Sequence, residues 1–531
     1  MRLHPAAAWA ALVCASLGVL LGGAELMVVA IALPSIVADV GGWDDLARAS
    51  WIVNAYLIAY VVAMPLAGRA ADLWGARRLF IVALLLFVLG SAGAGLSRLA
   101  GAEGTLGWLI AARVVQGFGG GALVPLSMAL ASHLFSGRSR AVALGLEGAA
   151  TFVGMAVGPA YGAWVLLSFG LPIPRLDVAP WQWIFLLNVP IGIVILLVIY
   201  VAVGGIETPR VRGRLDLLGA ALLTAALVAG IGALTISGAE GWASVRVLGG
   251  LGVALVALLA LVAWQLRARS PLVDLRLFAD RAFSAANLVS LLTGYTLATA
   301  IIGGPVFVNR VLFGSNTQSA TVLTALTVAI AAGALVGGAL SAWLGERIVT
   351  VAGVATSAIG LWLALGWGVS VPIERLVLDL AIFGAGFGLT VAPRATAAVE
   401  AAGAGAYGVA SAMLQVTRTI GMSVGLALLT SIGQNRIDEL SALIADPARR
   451  NALVLELGHP EFVDVDPNTS LQLVAVLEAW SQGEAAGVLR LVLGIALGVA
   501  VATLLPAWFV RGRARSRGPE HAPELTSSDA R

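Results

Sequence analysis

Five ionisable residues stand in stretches of the chain that are otherwise apolar: Glu25, Arg113, Glu147, Asp379 and Arg418. A charge at membrane depth costs several kcal/mol unless it is paired or hydrated, and it marks function by default. A carboxyl in low-dielectric surroundings favours its neutral form, so Glu25 is a candidate proton carrier. Glu147, about two turns into its stretch, is a second candidate, and it reads equally well as a carboxyl facing a vestibule. Arg113 and Gln116 are three apart and share a helix face; an arginine that snorkels to the interface is the alternative there. Arg418 lies midway along its stretch and needs an anion or water. Asp379, just inside its stretch, reads as interfacial.

Other chemistries find no residues. Cys14 is the single cysteine, and His4, His133, His459 and His521 are too dispersed for a metal cluster. Every one of the 32 basic residues is arginine, so a phosphate-binding Gly-x-x-x-x-Gly-Lys loop is impossible. No Ser-Lys site or histidine pair suggests an enzyme, and no cofactor is implied. The arginines are scattered between apolar spans, which argues against nucleic acid.

The elements that position these groups follow from composition. Of 531 residues, 59% are hydrophobic and 11% charged, against roughly 25% charged in ordinary soluble domains. A soluble enzyme is excluded. Apolar runs fall near 8 to 33, 51 to 70, 78 to 97, 106 to 131, 141 to 167 and 182 to 205, then near 217 to 237 and 246 to 265. Six more follow near 282 to 311, 319 to 343, 348 to 369, 375 to 398, 406 to 433 and 487 to 510. Each suits a membrane-spanning helix of about 20 residues. The expected fold is an all-α membrane protein with 14 transmembrane helices: two six-helix halves, residues 1–205 and 282–510, with two inserted helices in the linker 206–281.

Arginines crowd alternate connections, among them Arg69, Arg77, Arg78, Arg138, Arg140, Arg210, Arg267, Arg276 and, as a loop flank, Arg394. The positive-inside rule then places both termini in the cytoplasm. The first run is too long for a cleaved signal peptide. Residues 511–531 should be a disordered cytoplasmic tail. Residues 434–486 fall outside and are too long for an idle connection; periodicity at 437–444 and 471–480 predicts an extracytoplasmic helical hairpin with a Pro-containing break between.

The loop Gly68-Arg-Ala-Ala-Asp72-Leu-Trp-Gly75-Ala-Arg77-Arg78 resembles the signature of the major facilitator superfamily. That resemblance implies that Asp72 caps or pairs with neighbouring helix ends and steadies one conformation. Leu73 and Ala76 stand where the family often has basic residues. Without the family, Gly68 and Gly75 permit a tight turn. Gly338 and Gly345 echo Gly68 and Gly75 at the same separation, as two related halves would give. Arg113-Val-Val-Gln116-Gly117 is similar to the family's helix 4 motif and implies proton coupling. Gly154, Gly158, Pro159 and Gly162 resemble the motif of its antiporters, although a small-residue packing face explains the glycines equally well. Glu25 to Pro34 looks like the helix 1 motif of the 14-helix drug and proton antiporters, with Glu25 where Asp is usual.

In two facing halves, Glu25 is the first choice of partner for Arg418, the pair forming in one access state and breaking in the other. Asn54, Tyr56, Tyr60, Gln116, Asn188, Asn287, Tyr295 and Gln415 are candidates to line a substrate cavity. The primary expectation is a proton-coupled antiporter of the bacterial cytoplasmic membrane exporting hydrophobic compounds by alternating access. A narrower resemblance to mycobacterial triacylglyceride and glycolipid exporters rests on Trp51 to Tyr56, Ala63 to Gly68, Arg418 to Met422 and the long outer segment. It implies a lipid substrate and an extracytoplasmic lipoprotein partner. A proton-coupled importer of a small solute is the remaining rival. Membrane lipids and protons are partners under each reading.

Overall fold

The structure is a computed structural model that describes residues 5–40, 49, 51–169, 178–202, 210–466 and 470–511. The expected tail at 511–531 lies outside them except for Arg511. The described residues are helical with no strand among them, and fourteen stretches are long and apolar enough to cross a membrane. They begin with α1 (Pro5–Asp39), α2 (Trp51–Trp74), α3 (Ala76–Gly95), α4 (Gly101–Leu134) and α5 (Gly137–Ser168). The next span is broken at Leu187 into α6 (Gln182–Leu186) and α7 (Asn188–Ala202). The inserted pair is α8 (Leu217–Glu240) and α9 (Val245–Gln265). Then come α10 (Arg281–Arg310), α11 (Asn316–Leu344), α12 (Glu346–Ala364), α13 (Ile373–Ala402), α14 (Tyr407–Ala445), α15 (Pro447–Glu456) and α16 (Leu471–Ala507).

The repeat seen in the glycine spacing is a backbone repeat. Gly75 alone separates α2 from α3, and Gly345 alone separates α11 from α12. Both have positive φ, 98° and 86°, a conformation that costs glycine little and L side chains much. The two one-residue turns therefore mark equivalent corners of the two bundles.

Packing within each bundle is set by small residues. A Cβ on Gly154 would lie 2.2 Å from the Leu20 carbonyl oxygen, and one on Gly158 would lie 2.6 Å from that of Ala24. The motif on α5 is thus the seat of α1. The halves meet through α5 against α11 and α2 against α14, where Gly68 and Gly408 bring backbones into contact.

The inserted pair does not enter either bundle. It packs on the flank where α2 meets α14, through Leu223, Leu227 and Leu261 against Tyr60, Met64, Val409 and Val416. The Trp242 indole N–H donates to Ser431 Oγ at 2.7 Å. At the other end of the pair Arg69 Nη2 donates to Ser270 Oγ at 3.0 Å, and the Val211 N–H donates to the Asp72 carbonyl at 2.9 Å.

The segment 434–486 has helix at 437–444 and 471–480 with a turn at Pro460–Phe462 between them. Its flanking helices are continuations of two spans: α14 runs 39 residues and α16 runs 37. At 1.5 Å per residue these are about 58 and 55 Å long, against a hydrocarbon core of about 30 Å. The stalk is closed by α15 and a turn at Pro460–Phe462. Leu453, Val454, Phe462, Leu473 and Leu477 form a small core of its own. Arg436 bridges to Glu439 and Glu484 across the base.

Candidate functional site

Charged groups inside the bundles gather in three places. The first lies in the N-terminal half. Arg113 donates to Glu25, and both side chains are 1% exposed. Glu25 also accepts from Asn188 Nδ2 at 3.0 Å. Arg113 donates to Gln116 Oε1 at 2.6 Å and, through Nε, to the Ile52 carbonyl at 3.1 Å. Its guanidinium lies 4.0 Å from the centre of the Tyr56 ring, and Gln116 donates to Ser91 Oγ at 2.8 Å. Five helices of one bundle, α1, α2, α3, α4 and α7, converge on a pair whose polar atoms are engaged.

In this structure the Glu25 carboxylate is held by Arg113 from within the same half and not by Arg418. Gln116 and Asn188 likewise belong to this network rather than to an open cavity. Arg113 does not snorkel, because the backbone turn at Ile52 and the Tyr56 face solvate its guanidinium in place of water.

The second place is the seam between the halves. Glu147 from α5 lines a small cavity of about 20 Å³ together with Arg394 from α13 and Gln415 and Arg418 from α14. Ser16 Oγ donates to Glu147 Oε1 at 3.2 Å. Glu147 Oε2, Gln415 Oε1 and Arg418 Nε have no hydrogen-bond partner. Arg394 Nη1 donates to Thr293 Oγ1 at 2.7 Å, and Gln415 Nε2 reaches Met128 Sδ at 3.3 Å. The Phe152 ring, from the N-terminal half, lies 5.8 Å from the Arg418 guanidinium and packs edge-on against Phe387. One carboxyl with an open acceptor thus shares a cavity with two arginines at the seam between the halves, without an ion pair to either. Such a carboxyl can be completed in two ways, by a proton or by a guanidinium donor.

Arg394 is the functional candidate that reading the sequence as a loop flank missed. It is 3% exposed and lies within α13. Its position beside Pro393, four residues before the end of the run at 398, gave little signal of depth. Asp379 is also buried: it accepts from the Trp367 indole at 3.0 Å and from Arg375 Nε at 3.0 Å, pinning one end of α13.

The third place is the end of the seam. Asp72 Oδ1 accepts the Gly408 N–H at 2.8 Å and Oδ2 accepts the Val409 N–H at 3.0 Å. These are free N–H groups of the first turn of α14, where a carboxylate meets the positive end of the helix dipole. Beside it Arg140 donates to the Tyr407 hydroxyl at 3.1 Å and lies 3.8 Å from Glu400. Arg77 reaches toward the Tyr200 carbonyl at 3.4 Å and Arg78 is exposed.

The remaining cavity candidates divide. Tyr56 and Tyr60 stack with ring centres 5.8 Å apart. Asn287 donates to the Phe283 carbonyl one turn back at 2.9 Å and accepts from Thr417 Oγ1 at 3.5 Å. Asn54 is half-buried, while Tyr295 is buried with its hydroxyl unpartnered.

Two equivalent six-helix bundles, a seam closed by an acid on a helix N-terminus and a flanking helix pair agree with the family comparison. The Major Facilitator Superfamily profile matches residues 15–426. The chain belongs to the Major Facilitator Superfamily. It is 34% identical over 454 residues to a triacylglyceride transporter of Mycolicibacterium smegmatis, covering 82% of this chain and 78% of that one. The triacylglyceride transporter of Mycobacterium tuberculosis strain H37Rv is 32% identical, covering 83% and 86%. Among solved superfamily structures, the human organic anion transporter MFSD10 aligns over 93% of this chain and all of that one with a TM-score of 0.57 at 16% identity. The proton:xylose symporter XylE aligns over 92% and 95% with a TM-score of 0.52 at 13% identity. These superfamily structures share the fold. The protein is accordingly a multi-pass membrane transporter.

Proposed function

We propose that this superfamily member exports an apolar lipid of the triacylglyceride class from a bacterial plasma membrane, driven by protons and working by alternating access. The observation that carries the coupling is the seam cavity, where Glu147, with one unpartnered oxygen, shares the lining with Arg394 and Arg418. When the seam tightens, an arginine completes the carboxylate; when it opens, a proton does. Proton binding and movement of the halves then share one group.

The substrate class is supported by the relatives, which are named triacylglyceride transporters. Drug efflux, the primary expectation from the sequence, has less support. The glycines that suggested an antiporter are accounted for by the seat of α1 on α5. Basic connections at the Asp72 end make that end cytoplasmic, so the α14–α16 stalk stands outside, where an extracytoplasmic lipoprotein would meet it.

Glu25 and Arg113, with their polar atoms engaged inside one half, hold that bundle together in this scheme, and Glu147 carries the proton. The test is transport of a fluorescent triacylglyceride in proteoliposomes with and without an imposed pH gradient. Glu147→Gln should abolish the response to the gradient while leaving exchange at equal pH. A variant that responds to the gradient as the wild type does would remove Glu147 from the mechanism.

A further inference from the structure

The inserted helices enclose a second feature, apart from both the seam and the buried charges. A cavity of about 350 Å³ lies between α8, α9 and one face of α14, formed by Met413, Val416, Thr417 and Ile420. Its walls are aliphatic, and Leu255 and Leu258 on its outer side are 57% and 47% exposed. The cavity is therefore a groove open sideways to the hydrocarbon layer.

One end of the groove is polar. Gln265, the last residue of α9, lines it and is 6% exposed. Its Nε2 donates to Asp216 at 3.0 Å, while its Oε1 has no hydrogen-bond partner. A buried acceptor without a donor is costly, so an occupant that brings a hydroxyl is favoured. Leu275 and Phe278 form the adjoining wall, and between them Arg276 is exposed, with Arg267 and Arg269 exposed nearby in the chain. Against these three arginines stand Asp274, which caps the Arg276 N–H, and Asp216, so the rim carries a cationic excess where the span ends.

We infer that this groove is a binding site for an anionic, hydroxyl-bearing phospholipid of the phosphatidylglycerol type. One acyl chain lies along α14, the phosphate meets the arginine rim and a headgroup hydroxyl donates to Gln265 Oε1. Basic pockets between spans at this depth suit anionic headgroups. A triacylglyceride fits poorly, because it has no hydrogen-bond donor for Gln265 and no charge for the rim. The lipid would act as a packing element between the inserted pair and α14. The inference rests on the groove alone and stands or falls independently of the transport direction and of Glu147.

The test is native mass spectrometry of the purified full chain titrated with dioleoylphosphatidylglycerol or dioleoylphosphatidylcholine. Phosphatidylglycerol should bind first and tighter. Arg276→Gln should reduce that preference about fivefold, leaving phosphatidylcholine binding as it was. Ala226→Trp, which fills the groove, should weaken the first bound molecule of both lipids; Leu258→Trp on the exposed wall is the second filling variant if the first aggregates. Equal affinity for the two lipids in the wild type overturns the assignment, as do filling variants that bind like the wild type. Displacement of bound phosphatidylglycerol by triolein also overturns it, since the groove would then belong to the substrate path.

Discussion

Asp72 and Gly408 are 336 positions apart and belong to opposite halves, yet the carboxylate of one accepts the backbone N–H of the other at 2.8 Å. With Val409 donating to the second oxygen, the acid caps α14 from across the seam. The tie is local to one end of the molecule and can break without unfolding either bundle.

Its worth can be read as a population. A carboxylate at a helix N-terminus contributes about 1 kcal/mol, more where partly buried, and Asp72 is 2% exposed. Asp72→Asn retains the shape, loses the charge and turns amide hydrogens toward the positive end of α14. The ratio of molecules closed to open at this end should fall about fivefold or more. Spin labels at Ser136 and Ala404, exposed on the two sides of this end, report the distance directly. An unchanged distance distribution in the variant would show that the capping bond does not hold the seam.

The Glu25–Arg113 pair should behave in the opposite way, as part of the folded body. Removing one partner of a buried ion pair leaves an uncompensated charge and costs about 3 to 5 kcal/mol. Arg113→Gln alone should therefore lower thermal stability in detergent more than Glu25→Gln with Arg113→Gln together. The reasoning predicts strong non-additivity, read by size-exclusion recovery after heating. If the double variant is as unstable as the sum of the singles, the two side chains do not stabilise each other.

The span pattern was legible because hydrophobic runs of membrane length are a strong one-dimensional signal. The corners at Gly75 and Gly345 were legible because only the spacing of small residues was needed. Pairing was not. Glu25 had two arginines as candidates, and sequence offers no depth or azimuth with which to choose between Arg113 and Arg418. Arg394 was hidden for a related reason: a basic residue near the end of an apolar run looks like an interfacial anchor, and only the continuation of α13 to Ala402 places it inside. The helices of the stalk were legible at 437–444 and 471–480, but helical periodicity locates turns of helix and not their continuity with the adjoining spans.

The close seat of α1 on α5 makes a last contrast between two glycines. Substitution of a helical glycine by alanine normally stabilises a helix by about 0.4 to 1 kcal/mol. Gly303→Ala in α10 should follow that rule, since nothing lies within 4 Å of the added Cβ. Gly154→Ala should break it: the methyl group would sit 2.2 Å from the Leu20 carbonyl oxygen and 2.9 Å from the Ala24 nitrogen, and neither backbone can give way without moving α1. That movement would also strain the helix that presents Glu25 to Arg113. Gly154→Ala should thus lower the melting temperature in detergent while Gly303→Ala leaves it unchanged or raises it. Equal effects of the two substitutions would mean that α1 and α5 are not in contact at Leu20, and the packing account of the α5 glycines would have to be given up.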